Sequence, residues 1–405
     1  MADLHAIIDE RAVTTVLQPL VELAGGRLVG YEALSRGPHG SPWEKPAALF
    51  AAARAAGRDG ELDWVCRASA YRAAAGLDPR LALFVNMEPA AARVPCPPDL
   101  APAIEQGGTL RVVTEMTERA IARDPAALLA ATSACRAAGR GVALDDVGAD
   151  PGSLALMPFV RPDVVKLDMD LLRRPGDPGT ARIVAAVSAY AESSAAVVLA
   201  EGIETPRQCD VARTMGAAYG QGWLFGRPGT SPPRDIVELP LPMAGPEPGD
   251  GTPFEIVTRR RRPTRASKAD LLPLSRHLEA LATDGPLPPV LLACFQHSRH
   301  FGPVTARRYA RIARTSPLVA ALGVGLSAEP APGVRGARLS ADDRLGGEWN
   351  VLVVGPHQAA ALVARDLAET GVPDADRRFD FVLTHDRDLV IAAARPLLRF
   401  ITPTP

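Results

Sequence analysis

The chain has 405 residues, enough for two domains, and its 47% hydrophobic and 22% charged content is that of a globular protein. A formal net charge of −1 removes any bulk electrostatic case for nucleic acid or an anionic membrane surface as a partner. No apolar run approaches the ~20 residues that span a bilayer, and the start MADLHAIIDERAV lacks a signal-peptide pattern, so a cytoplasmic location is expected.

From residue 13 to 227 one pattern recurs: a short apolar run, a polar residue at its C-terminal end, then a longer Ala- and Arg-rich segment. The strand candidates are Val16–Val21 with Gln18, Leu28–Leu34 with Glu32, Leu81–Asn86, Leu110–Glu115, Val142–Asp146, Val164–Asp168, Val197–Glu201, and Tyr219–Phe225 with Gln221. Segments such as Pro46–Ala75, Asp124–Ala138 and Thr180–Ser193 have helical length and composition. Eight such units in roughly 230 residues predict an α/β fold, a closed (β/α)8 TIM-like barrel. The first connection, around Gly25-Gly26, is too short for a crossover helix and reads as a hairpin, so the first strand is expected to be antiparallel.

The organisation expected is a barrel over 1–235, a Pro/Gly-rich linker over 236–253 and a smaller mixed α/β domain over 254–405. In that last domain the strand candidates are Val290–Phe295, Val319–Leu326, Asn350–Val354, Phe379–Thr384 and Leu389–Ala394. Its helix candidates are Leu271–Thr283, Val304–Arg314 and His357–Thr370. The cysteines (Cys66, Cys96, Cys135, Cys209, Cys294) are scattered, never form CxxC, and read as thiols in a reducing compartment.

Polar residues at strand ends collect at one mouth of such a barrel. Here they are Glu32, Asn86, Glu115, Glu118, Asp145, Asp146, Lys166, Asp168, Glu201, Glu204 and Gln221. Adjacent carboxylates such as Asp145 and Asp146 repel unless a cation or solvent holds them. Lysine occurs only at Lys45, Lys166 and Lys268 in a chain rich in arginine, which marks Lys166 as a chemical requirement. Many carboxylates with one amide and no His or Cys form a hard-oxygen set suited to Mg²⁺ or Mn²⁺. Two such ions are the usual device for phosphoester hydrolysis. Arg36 could clamp a phosphate with its guanidinium fork.

Tyr31-Glu32-Ala33-Leu34 followed by Arg36 resembles the signature of the EAL family of cyclic di-GMP phosphodiesterases. Further blocks are similar in the same order: Phe84-Val85-Asn86, Glu115-Met116-Thr117-Glu118, Leu144-Asp145-Asp146, Lys166-Leu167-Asp168, Glu201-Gly202-Ile203-Glu204, and Tyr219–Pro228. The resemblance implies hydrolysis of cyclic di-GMP to pGpG at two ions, Mg²⁺ or Mn²⁺, held by Glu32, Asn86, Glu115, Asp145 and Asp146. It implies that Lys166 and Glu201 serve the attacking water and that Gln18, Arg36 and Gln221 face the nucleotide. Glu118, Asp168 and Glu204 would support them, and the barrel could form a homodimer. The sequence departs from the family over Val147–Gly152, where an aromatic and a glycine are replaced and Asp150 and Pro151 appear. That change leaves open a receptor that binds cyclic di-GMP with weak or no hydrolysis, with Asp150 as a substitute carboxylate. The C-terminal region is similar to DICT domains through Phe254, the block Phe295–Gly302 and the strand Trp349–Gly355, which implies a sensory role for an unidentified ligand or protein partner.

The remaining features have plainer readings. His297 and His300 read as a polar loop, Arg259–Arg262 with Arg265 as a solvated edge, and Cys209 as packing.

Overall fold

The strand runs of the first half become β1 (Thr14–Glu22), β2 (Leu28–Arg36), β3 (Ala82–Asn86), β4 (Arg111–Thr117), β5 (Gly141–Val147), β6 (Val164–Leu167), β7 (Val197–Ala200) and β8 (Tyr219–Gln221). They close into a barrel in chain order. β1 is antiparallel to both of its neighbours and every other pairing is parallel, as the short first connection requires. The computed structural model describes residues 3–117, 122–229, 234–242, 251–283 and 287–403. Among them no helix is long and apolar enough to cross a membrane. By contacts the chain divides into one unit of Met1–Ala120, Ala130–Ala149 and Val160–Gly245, and another of Ile121–Leu129, Asp150–Phe159 and Pro246–Pro405.

The barrel interior explains where polar side chains emerge. One buried cluster takes an inward residue from every strand, among them Leu20, Phe84, Val113, Ala143, Val164, Leu199 and Tyr219. Side chains alternate along a strand, so the residue two positions on points the same way, one layer nearer the mouth. Two residues past Phe84, Val113, Ala143, Val164, Leu199 and Tyr219 stand Asn86, Glu115, Asp145, Lys166, Glu201 and Gln221. In reversed β1 the order inverts, and Gln18 lies two residues before Leu20.

The linker expected over 236–253 needs correction at its start. Leu28 donates its N–H to the Asp235 carbonyl at 2.8 Å, and Val237 donates to the Leu28 carbonyl at 3.0 Å. Leu239 is fully buried in the barrel cluster, with Val237 and Leu241 packed beside it. The alternating apolar residues of Ile236–Leu241 cover the closed end of the barrel, so this stretch belongs to it.

The second unit contains a seven-stranded sheet of β9 (Thr264–Ser267), β10 (Val290–His297), β11 (Val319–Val324), β12 (Arg335–Leu339), β13 (Glu348–Val354), β14 (Ala359–Asp366) and β15 (Arg378–Thr384), ordered β12-β11-β10-β13-β14-β15-β9. Leu271 and Leu278 of the helix Lys268–Leu281 and Tyr309 and Ile312 of the helix Pro303–Ile312 pack into its core. Two elements are opposite in type to the expectation. The stretch His357–Thr370, expected as a helix, contains β14, hydrogen-bonded to β13 and β15 on its two sides. A central strand buried on both faces is apolar throughout, so its Ala/Leu composition mimics a helix. Conversely Leu389–Ala394, expected as a strand, lies in the helix Arg387–Leu398, where Asp386 accepts from the Leu389 N–H at the N-cap. Its buried residues Leu389, Val390, Ala393, Ala394, Leu397 and Leu398 follow the helical period.

Cys209 is buried, in keeping with a packing role, while His297, expected in a polar loop, is the last residue of β10. The five cysteines are free, and Arg259, Arg260, Arg261 and Arg262 are all exposed. Arg265 stands on β9 opposite Asp380, with Nε 2.9 Å from its carboxylate. His300 Nδ1 lies 2.9 Å from the Phe295 carbonyl oxygen, and the His297 and His300 rings meet edge to face.

Candidate active site

The polar layer at the barrel mouth is built by strand register. Gln18 stands opposite Glu32 across β1 and β2, and Asn86 stands opposite Glu115 across β3 and β4. Between β5 and β6 the pairing runs Ala143↔Val164, Leu144↔Val165, then Val147↔Leu167, so Asp145 and Asp146 together oppose Lys166. This is a β-bulge, a device rare between parallel strands and over-represented beside active sites. It lets two successive aspartates stand at the level of one lysine, where a regular strand would send them to opposite faces. Asp146 takes φ +57° to do so, a left-handed conformation that aspartate tolerates better than most residues. Val147, fully buried, resumes the pairing, and Gly148 follows at φ +109°.

Lys166 is the centre of charge. Its side chain is 0% exposed, with Nζ 2.6 Å from Glu115 Oε1, 2.7 Å from Glu201 Oε1, 2.9 Å from Asp145 Oδ1 and 3.8 Å from Glu32 Oε2. Burial opposes its charge, yet Asp145, Glu115, Glu201 and Glu32 together hold the ammonium well above the ordinary lysine range. Burial likewise pushes the Glu115 carboxyl well up, against the pull of Lys166. Burial, reinforced by the Asp145 charge, pushes Glu201 up to about 8.

Amides complete the layer. Asn86 Nδ2 donates to Glu32 Oε1 at 3.2 Å and to Glu115 Oε2 at 3.1 Å. Gln221 Nε2 donates to Glu32 Oε2 at 2.5 Å and to Gln18 Oε1 at 3.0 Å, while Gln18 Nε2 reaches the Gly226 carbonyl at 3.2 Å. Several close contacts lack hydrogen-bond alignment: Lys166 Nζ, Glu115 Oε1, Asp145 Oδ1 and Gln221 Oε1 are buried without an aligned partner. Buried carboxylate oxygens without an aligned hydrogen-bond partner, crowded around one ammonium, have the chemistry to accept a further cation. Donor atoms of Asp145, Asp146 and Glu201 all lie within 4.8 Å of one another, close enough to share an ion. Glu32, Glu115, Asp145, Asp146 and Glu201 against Lys166 leave a formal excess of four negative charges, which two divalent cations would balance.

Other expected residues lie apart from this cluster. Arg36, four residues beyond Glu32 at the end of β2, donates Nη1 to the Ser35 carbonyl at 2.8 Å. Asp168 caps the helix Met169–Arg173, its Oδ1 accepting from the Asp170 N–H at 2.7 Å. Glu204 is exposed, and its backbone N–H is held by Gln208 Oε1. Glu118 lies outside the described residues. Asp150 does not stand among the carboxylates that share the cation position: it is exposed and its Oδ1 accepts from the Gly152 N–H at 3.0 Å, an aspartate turn within its own loop. Not among the residues expected from the sequence are Asp63 and Arg67, a charged pair one helical turn apart and almost wholly buried. Their signal was present in ELDWVCRAS, two opposite charges on an otherwise apolar stripe.

The EAL domain profile matches residues 2–228, and the profile described as the sensory domain in diguanylate cyclases and two-component systems, DICT, matches residues 255–367. A probable cyclic di-GMP phosphodiesterase of Escherichia coli is 29% identical over 234 residues, covering 55% of this chain and 44% of that protein. A cyclic di-GMP phosphodiesterase of Pseudomonas aeruginosa is 28% identical over 232 residues, covering 55% of this chain and 40% of that one. The chain thus spans less than half the length of these curated relatives. Klebsiella pneumoniae BlrP1, solved as a manganese and cyclic di-GMP complex, is 31% identical with a TM-score of 0.47, covering 54% of this chain and 56% of that chain. The chain belongs to the EAL domain family and carries a DICT sensory domain after the barrel.

Proposed function

We propose that the barrel is a divalent-metal-dependent phosphodiesterase that hydrolyses cyclic di-GMP to linear pGpG. The observation that carries this is the fully buried Lys166 held by four carboxylates, in a set whose charge calls for further cations. Glu32, Asn86, Glu115, Asp145 and Asp146 would hold two ions, Mg²⁺ or Mn²⁺, consistent with their hard-oxygen character. Such ions, when bound, supply Lewis acidity that activates water and offset charge on phosphate oxygens. Lys166 Nζ orients water beside Glu201, whose carboxylate lies 2.7 Å from that ammonium and would take the water's proton. Gln18, Gln221 and Arg36 stand on the strands that border the mouth and face the nucleotide.

The bulge supports hydrolysis over binding alone. Asp145 and Asp146 are fixed by pairing that resumes at Val147, the first residue of the departure over Val147–Gly152, so the replacement there still closes the ladder. For control by the DICT domain, the supporting observation is one of chain continuity. Asp150–Phe159 belongs to the second unit, only four residues beyond Asp146 in the first.

Incubating the purified protein with cyclic di-GMP and Mn²⁺ or Mg²⁺, then separating nucleotides by chromatography, tests the reading. pGpG is the expected product. Saturable binding of intact cyclic di-GMP with no product under either metal would make the protein a receptor.

A pH dependence follows from Glu201 and Glu115. A carboxyl raised in the folded state stabilises the fold below its ordinary value of 4.5, and that contribution is lost as pH rises through its folded value of about 8. The metal-free protein should therefore lose stability between pH 4.5 and 8, where burial and repulsion oppose ionisation. Metal binding takes the deprotonated form, so the rise in Tm given by Mn²⁺ should be small at pH 5 and grow towards pH 8. Thermal melts with Mn²⁺ and with chelator across this range measure it, and a pH-independent gain would contradict the assignment of Glu115 as a ligand.

A further inference from the structure

Asp63 and Arg67 lie one turn apart on the helix Asp59–Ala73, with 2% and 5% of their surfaces exposed. Arg67 Nε is 2.6 Å from Asp63 Oδ2, and the guanidinium stacks 3.7 Å from the centre of the Trp64 ring. The other carboxylate oxygen, Asp63 Oδ1, accepts the backbone N–H of Glu88 at 2.9 Å. Glu88 is two residues past Asn86, and between them Met87 donates its N–H to the Glu115 carbonyl at 2.9 Å. The turn that leaves β3 is thus tied to β4 on one side and to a buried helix carboxylate on the other. The same helix holds β1, where Ser69 Oγ donates to the Val13 carbonyl at 3.2 Å and accepts from Thr15 Oγ1 at 2.8 Å.

A buried ion pair is a costly way to fill a helix interface, since apolar residues of similar volume avoid the desolvation. What the charge adds here is a strong acceptor for one backbone N–H beside the Asn86 amide. We infer that Asp63 is a positioning residue for the metal site, fixing Asn86 against Glu32 and Glu115 through its hydrogen bond to the Glu88 N–H. This rests on the proposed reading of Asn86 as a metal ligand. Asp63 does not touch the carboxylate cluster; it sets the backbone from which one of its members reaches in.

Two pairs of variants of the full chain isolate the bond. Asp63→Asn with Arg67→Met removes both buried charges and keeps an acceptor for Glu88. Asp63→Leu with Arg67→Met removes the charges and the acceptor. From the other end, Glu88→Ala keeps the N–H and Glu88→Pro deletes it. Proline suits that position because Glu88 has φ −79°. The readout is Mn²⁺ affinity without nucleotide, followed by titration of free Mn²⁺, beside metal-free thermal melts that report the fold.

Asp63→Leu/Arg67→Met and Glu88→Pro should each weaken Mn²⁺ binding by roughly tenfold or more, the usual cost of losing a partner that orients a ligand. Asp63→Asn/Arg67→Met and Glu88→Ala should bind within about threefold of wild type. If the leucine variant fails to fold, the Glu88 pair tests the same bond. Folded variants without the bond that bind Mn²⁺ like wild type would overturn the inference and leave the two-ion reading intact. A wild-type protein that binds no Mn²⁺ would overturn both.

Discussion

Replacing Lys166 with methionine is expected to lower hydrolysis by roughly a thousandfold or more, in the range of losing a positioned charge or proton-transfer group. Methionine nearly matches the volume of lysine, so the effect should be electrostatic. In the metal-free protein the lysine is the only cation touching Glu32, Glu115, Asp145 and Glu201 among the described residues, and it is completely buried. Breaking a buried pair from one side typically costs about 3–5 kcal/mol. Here the cost should depend on pH, because the carboxylates left behind can protonate. Urea unfolding of the metal-free variant should show the larger deficit at pH 8 and a smaller one at pH 5. Lys166→Arg should not restore activity: with contacts of 2.6 to 2.9 Å on three sides, no space is left for the larger planar guanidinium. Wild-type turnover in the methionine variant would remove Lys166 from the reaction altogether.

How far the sequence carries towards this site depends on periodicity. Phe84-x-Asn86, Val113-x-Glu115, Val164-x-Lys166, Leu199-x-Glu201 and Tyr219-x-Gln221 each place a polar residue two positions beyond an apolar one, and a barrel turns that repeat into a polar layer above an apolar plug. The barrel and the location of most site residues are therefore readable from strand patterns. The bulge at Asp145-Asp146 is not, because a regular strand would send the second aspartate outward, and only the pairing of Val147 with Leu167 shows otherwise. Asp168 illustrates the reverse error. Its neighbourhood to Lys166 in sequence suggested a site role, whereas a strand end followed by a helix gave it the N-cap. In the second domain the failures were of composition. Ala359–Asp366 is a strand because β13 and β15 flank it, and Arg387–Leu398 is a helix because Asp386 caps it. Local preference decided neither case: burial on both faces erases the polar half of the pattern in Ala359–Asp366, and Leu389–Ala394 is an unbroken apolar run whose helical period shows only in which residues are buried.

Glu32→Ala and Glu201→Gln should both abolish measurable turnover, yet differ in what remains. Glu32 is 6% exposed and accepts from two amides, Asn86 Nδ2 and Gln221 Nε2, while lying 3.8 Å from Lys166. Removing it deletes a proposed ligand and takes from each amide one of its two acceptors, leaving Asn86 with Glu115 and Gln221 with Gln18, at a cost of about 1–3 kcal/mol where the N–H left over is buried. The barrel should still fold, because the apolar plug beneath is untouched. Mn²⁺ affinity should fall by about a hundredfold, and metal-dependent nucleotide binding with it. Glu201 has its close ion-pair contact with Lys166, at 2.7 Å, and Gln preserves its shape while removing the proton acceptor. In Glu201→Gln, Mn²⁺ and cyclic di-GMP should therefore still bind, within about tenfold of wild type, with chemistry lost. Calorimetric titration of each variant with Mn²⁺, then with cyclic di-GMP in the presence of Mn²⁺, separates the two roles. Equal loss of metal binding in both would make Glu201 a ligand, and its place beside the water would have to pass to another carboxylate.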